Sequence, residues 1–220
     1  MKTYILYLIL LTITISVPQC VAQPRSEYWR QRTSLFDILG LREGDIVFLG
    51  NSITDGGEFE ELFEDTRIKN RGINSDDIKG IRERLKQITD YSPAKIFLLI
   101  GINDISHDDS IEKILAEYEI LVSEIHSQSP TTLLYIQSVM PINNDFERYL
   151  SLKGKETKIL TLNSKLEELA VKKGDTFINL WPFLADSEGK LKTEYTNDGL
   201  HLLGPGYLSW KEALLPYIKD

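Results

Sequence analysis

Short apolar runs alternate along this chain with longer stretches whose apolar residues recur every three or four positions, the periodicities of a buried strand and an amphipathic helix. Residues 45–49 and 95–100 are the clearest strands, each dominated by Ile, Val, Phe and Leu. Further strands are expected at 68–70, 132–137 and 176–179. Helical spacing fills the intervals at 26–39, 58–64, 75–88, 110–127 and 155–172, and Pro205 opens a last helix that reaches Ile218. Gly40 stops the first helix, while Ser75, Asp76 and Asp77 supply the start of the third. Strands without polar alternation need cover on both faces, so the pattern predicts an α/β domain with a parallel sheet between two helical layers.

The N-terminus departs from this rhythm. Lys2 precedes the apolar stretch 5–17, and Cys20, Val21 and Ala22 follow, which fits a secretory signal peptide at 1–22 cut before Gln23. That apolar stretch is shorter than the ~20 residues a bilayer span needs, so no integral span is expected. Lipidation at Cys20 is the rival reading, but Pro18 and Gln19 are not the small residues such a site usually carries. The remaining 23–220 are expected to form one domain, because 220 residues with 42% hydrophobic content bury one sizeable core but are few for two. Cys20 is the single cysteine, so an exported 23–220 forms no disulfide and relies on its core. The chain carries 25 basic and 33 acidic side chains, a net charge of −8 that becomes −9 once Lys2 is lost. An acidic balance of this size argues against nucleic acid or anionic lipid as the main partner.

Three segments carry candidate chemistry. Gly50-Asn51-Ser52-Ile53-Thr54 and Gly101-Ile102-Asn103-Asp104 each follow an apolar run, which places them at strand C-terminal ends, where open α/β sheets hold ligands. Asp198-Gly199-Leu200-His201 lies near the C-terminus. A serine hydroxyl attacks only when a base removes its proton. His201 suits that task for Ser52, with Asp198 three positions upstream to orient the ring and stabilise the imidazolium. Singly, each piece is ordinary: Ser52 and Thr54 also suit a helix cap, and Asp198 with His201 a surface turn. His107 and His126 are the alternative bases, the first without a carboxylate at that spacing and the second on a predicted helix. Asn103 offers a neutral amide to an oxyanion, joined by the N–H of Ser52, and Gly72 offers a further backbone N–H or is simply a turn glycine. Asn51 and Asp104, beside the hydroxyl and the amide, are candidate substrate contacts. No His-Glu-x-x-His, paired-cysteine or phosphate-loop pattern occurs, so no metal and no cofactor is expected. A flavin-binding module would share the sheet but would leave Ser52, Asn103 and the Asp198-His201 pair unexplained.

In this order and on this strand pattern, Gly-Asn-Ser-Ile-Thr, Asn-Arg-Gly, Gly-Ile-Asn-Asp and Asp-Gly-Leu-His resemble the SGNH hydrolases, also called GDSL-type esterases and lipases, over about residues 45–207. The resemblance implies a three-layer α/β/α sandwich with a flavodoxin-like five-stranded parallel sheet. It also implies Ser52 as nucleophile, Asp198 and His201 as its partners, and Gly72 and Asn103 as oxyanion donors. Where the family name reflects Gly-Asp-Ser-Leu, Asn51 and Ile53 flank the serine here. Asn51 keeps an acceptor oxygen for the turn, and the change makes the chain more similar to the acetylhydrolase branch than to plant-type lipases. The expected activity is therefore that of an exported serine esterase acting on short acyl esters, first O-acetyl groups of carbohydrates. Lysophospholipid or platelet-activating-factor-like lipid esters come second, and an inactive carbohydrate-binding relative is the non-enzymatic alternative. The insertion at 141–154 mixes Asn143, Asn144, Asp145, Glu147 and Arg148 with Phe146, Tyr149 and Leu150, too polar for a lipase lid but suited to a sugar or to a plain surface loop.

Overall fold

The five predicted strands form, and every pairing between them is parallel. The computed structural model describes residues 24–219, so the leader expected at 1–22, with Cys20, lies outside the described residues. In chain order the elements are α1 (Glu27–Leu39), β1 (Ile46–Gly50), α2 (Ser52–Asp55), α3 (Phe59–Phe63), β2 (Ile68–Gly72), α4 (Ile78–Glu83), α5 (Lys86–Thr89) and β3 (Lys95–Leu99). They continue with α6 (Ile102–Ser106), α7 (Ile111–Gln128), β4 (Leu133–Gln137), α8 (Glu156–Lys173), β5 (Thr176–Ile178), α9 (Trp181–Leu184) and α10 (Gly204–Ile218). The strand order β2-β1-β3-β4-β5 reverses direction between β1 and β3, and the crevice above that switch is where such sheets place ligands.

The two faces of the sheet are packed differently. Phe48, Phe97 and Tyr135 stand in one row across β1, β3 and β4, with ring centroids 5.1 and 4.6 Å apart. Phe59 of α3 stacks on Phe48 at 4.1 Å, and Trp210 and Tyr217 of α10 close the row edge-on or tilted. Side chains alternate along a strand, so Val47, Leu49, Ile96, Leu98, Leu134 and Ile136 point to the opposite face, beneath α4, α7 and α8. Lys95 opens β3 and donates its ammonium to the carbonyl of Tyr217 at 2.7 Å, which satisfies the C-terminal end of α10 and explains a buried lysine.

Departures from the sequence reading concentrate at the strand ends. Two one-turn helices, α2 and α6, follow β1 and β3 directly and are too short for periodicity to reveal. The helix expected at 75–88 is two, and of the three residues expected to start it Asp77 is the cap, accepting from Gly80 N at 2.7 Å. The break falls at Arg84, whose guanidinium turns into the core toward Asp76 at 2.9 Å and the carbonyl of Arg71 at 2.9 Å. No helix among the described residues is long and apolar enough to cross a membrane.

Candidate active site

Beyond Gly50 the chain leaves β1 through Asn51, whose side-chain oxygen accepts from Ile53 N at 3.1 Å and starts α2. This turn lifts Ser52 to the rim of the sheet, half-buried. Asn51 itself is 1% exposed, so it holds the turn from inside and is not the substrate contact expected.

The C-terminal segment folds back over this rim as a tight turn. The Asp198 carboxylate accepts from the backbone N–H groups of Leu200 at 2.9 Å and His201 at 2.8 Å through Oδ1, and meets His201 Nδ1 at 2.8 Å through Oδ2. Thr196 Oγ1 accepts from Gly199 N at 2.9 Å and closes the turn. With Nδ1–H directed at the carboxylate, the bare Nε2 of His201 faces Ser52 Oγ at 2.9 Å. Burial alone would raise the Asp198 carboxyl, but the hydrogen bonds from His201 and Leu200 outweigh it and hold the group down to about 2, so it is ionised at neutral pH. Of the alternative bases, His126 binds Asp175 at 2.8 Å beside the opposite end of the sheet, and His107 lines the cleft with no carboxylate partner among the described residues.

The oxyanion corner differs from the reading of the sequence. Gly72 is fully buried in β2, its N–H is taken by the Asn70 side chain at 2.7 Å, and a Cβ there would strike the backbone of Thr54 and Asp55. Glycine is thus required for α2 to sit close against β2, and its N–H does not reach the cleft. Ser75, three residues on, lines the cleft instead. It adopts the left-handed conformation (φ 62°), and its N–H meets no acceptor among the described residues. Asn103 sits on α6 after Gly101, whose φ of 123° suits glycine alone, and one amide hydrogen is spent on the Asp76 carbonyl at 2.7 Å, which leaves the other for a ligand. Asp76 also takes the Trp29 indole N–H at 3.1 Å and pairs with Arg84, both 2% exposed or less, so this buried ion pair anchors the loop that carries Ser75.

Asp104 likewise is not a substrate contact. Its carboxyl turns inward, accepts from Ile78 N at 3.3 Å, and leaves Oδ2 without a partner. Burial, with the nearby charge of Asp77 second, pushes this group up to about 7. Sequence reasoning passed over Ser75 because what it can offer a ligand is a main-chain N–H, and the signal for it is a non-glycine forced into a left-handed turn just before the α4 cap.

Ser52, Asn74, Ser75, Asn103, Ser106, His107, Tyr149, Leu152, Leu200 and His201 enclose a cleft of about 390 Å³. An acyl carbon seated there meets a hydroxyl with a base behind it. Its oxygen faces uncommitted N–H donors, the constellation that acyl transfer requires.

Known proteins are similar to this chain in fold and in sequence. A protein from Streptococcus pneumonia, provisionally described as a platelet activating factor, superposes with a TM-score of 0.79 at 30% identity, covering 86% of this chain and 92% of that one. A GDSL-like lipase from Bacteroides thetaiotaomicron superposes with a TM-score of 0.76 at 22% identity, covering 87% and 97%. Among curated proteins, the N-acylneuraminate cytidylyltransferase of Escherichia coli O18:K1:H7 is 27% identical over 179 residues, 80% of this chain, which spans only 40% of that relative's length. The profile of the GDSL-like Lipase/Acylhydrolase family matches residues 48–208, a stretch that begins within β1, takes in every group facing the cleft, and ends in α10. The chain therefore belongs to the GDSL-like lipase/acylhydrolase family.

Proposed function

We propose that this esterase removes small acyl groups, acetyl foremost, from sugar hydroxyls through an acyl-Ser52 intermediate. His201 Nε2 takes the Ser52 proton as Oγ attacks the ester carbonyl, and Asp198 stabilises the imidazolium. The N–H groups of Ser52 and Ser75 and the free Asn103 amide hydrogen receive the oxyanion. The imidazolium returns its proton to the leaving alcohol, and a water activated by the same histidine then releases the acid.

The observation that carries the substrate reading is the make-up of the cleft wall. Of its ten residues only Leu152 and Leu200 are aliphatic, and the rest present hydroxyl, amide, imidazole or phenol groups. A long acyl chain gains about 0.8 kcal/mol for each methylene it buries, and this wall offers little apolar surface to bury it. Hydroxyls of a sugar, by contrast, find donors and acceptors on most sides. The curated relative, whose name places an N-acylated sugar among what it handles, supports the same choice. The leader-like segment at 1–22 supports export, where polysaccharide esters are met. A lipid ester of the platelet-activating-factor kind is the second reading, favoured by the neighbour from Streptococcus pneumonia at 30% identity.

A panel of p-nitrophenyl esters and acetylated sugars tests the proposal. The value of kcat/KM should fall from acetyl to octanoyl, and acetylated sugars should be deacetylated. A rise toward octanoyl reverses the two readings, and absence of any ester hydrolysis leaves only a binding role.

A further inference from the structure

We infer that Tyr149 is a positioning residue whose hydroxyl sets the basicity of the Asp198–His201 pair and ties it to the loop at the cleft rim. The inference rests on the catalytic reading of Ser52, Asp198 and His201 given above. Tyr149 lies in the insertion at 141–154, on the opposite side of the ring from α2. Its Oη stands 3.1 Å from Asp198 Oδ2 and 3.1 Å from His201 Nδ1, while those two atoms are 2.8 Å apart, so three polar atoms form a closed triangle. The phenol ring meets the imidazole edge-on at 5.6 Å between centroids.

Donor counting decides the direction of these bonds. The carboxylate only accepts, and Nδ1–H is already directed at Oδ2, so the one phenolic proton goes to Asp198 Oδ2 and the phenol oxygen receives a share of Nδ1–H. Burial, followed by the charge of Asp198, raises the Tyr149 hydroxyl above its ordinary value, which keeps that proton in place through the working range. Oδ1 is occupied by two backbone N–H groups and approached by Thr196 Oγ1 at 3.3 Å. Oδ2 is thus the atom through which the carboxylate acts on the ring, and Tyr149 withdraws negative charge from it.

The remaining charged or titratable groups facing this unit are few. Ser52 lies across the ring on α2, His107 is on the far wall of the cleft, and Arg148 neighbours Tyr149. None of them donates to Oδ2. Loss of the phenol hydroxyl therefore leaves Asp198 a stronger partner for the imidazolium, and its Oδ2 loses one of two anchors. The base then needs a higher pH to shed its proton, and the ring is held less firmly.

Tyr149→Phe in the full chain, assayed with p-nitrophenyl acetate across pH, tests the inference. The rising limb of kcat/KM should move up by roughly half a pH unit or more, and kcat on the plateau should fall about fivefold with KM little changed. Tyr149→Ala should move the limb by the same amount and also raise KM, because the cleft loses a wall. A limb that stays in place in the Phe variant overturns the inference, whatever happens to kcat or to the melting temperature, because a merely structural tyrosine moves only those. A limb that moves in the Ala variant alone assigns the effect to the ring and overturns it as well. Failure of the underlying reading looks different, since Ser52→Ala would then keep its activity.

Discussion

Two clefts among the described residues make an instructive pair, and the larger of the two carries no catalytic constellation. Beside the edge strand β2 lies a space of about 540 Å³, against about 390 Å³ above the ends of β1 and β3. The larger cleft is rich in charge, yet several of its groups are spent on its own walls. Lys69 pairs with Glu60 at 3.0 Å, Asp45 accepts from Arg42 N at 2.8 Å, and Arg71 donates to the carbonyls of Gly40 and Asn70 while lying 4.7 Å over the Phe36 ring. Burial pushes the Arg71 guanidinium down to about 10, still charged at neutral pH. In the smaller cleft the bonds run toward one atom: Asp198 holds His201, His201 faces Ser52 Oγ, and the N–H groups of Ser52 and Ser75 are left for a ligand. Convergence of uncommitted groups, and not volume, marks the site.

Substitutions should separate the two clefts sharply. His201→Ala removes the proposed base and should lower kcat by roughly 10³- to 10⁴-fold with the melting temperature nearly unchanged, as steady-state kinetics and a thermal melt will read. A middle effect is expected below the smaller cleft, at Asp104. Its carboxyl is raised to about 7 when folded and titrates near 4 when unfolded, so between those values the folded chain holds a proton that the unfolded chain has released. Stability contributed by the neutral form is complete below about pH 4, declines as pH rises toward 7 and stays lost above it. Asp104→Asn keeps an oxygen for Ile78 N and cannot ionise, so it should be more stable than the parent above pH 7, by on the order of 2 kcal/mol, and the two should converge near pH 4. Denaturant melts at pH 4.5 and 8 measure the gap, and a constant gap would contradict the assigned burial of the charge. The smallest effect belongs to the larger cleft: Lys69→Ala breaks an exposed pair, and its kcat/KM should stay within twofold of the parent.

How much of this was legible in the sequence differs between the sheet and its rim. The strands announced themselves, because a parallel strand covered on both faces must be apolar throughout, as Ile46 to Leu49 and Ile96 to Leu99 are. Ser52, Asn103, Asp198 and His201 were readable because the roles proposed for them belong to side chains. Ser75 was not, since a backbone N–H has no residue type. The glycine that drew attention, Gly72, serves the approach of α2 to β2. Asn51 and Asp104 look like substrate contacts by adjacency alone, but the first is buried as the cap of α2 and the second is turned inward from α6. The triangle made by Tyr149 depends on a 49-residue separation from Asp198, which no local pattern encodes.

The account turns on Ser52 as the atom that bonds the acyl group. A serine-directed fluorophosphonate, followed by peptide mass mapping, asks this directly. Labelling at one residue, Ser52, that is abolished in His201→Ala is the predicted result. Label on another residue, or none on a folded protein that still hydrolyses p-nitrophenyl acetate, would contradict it.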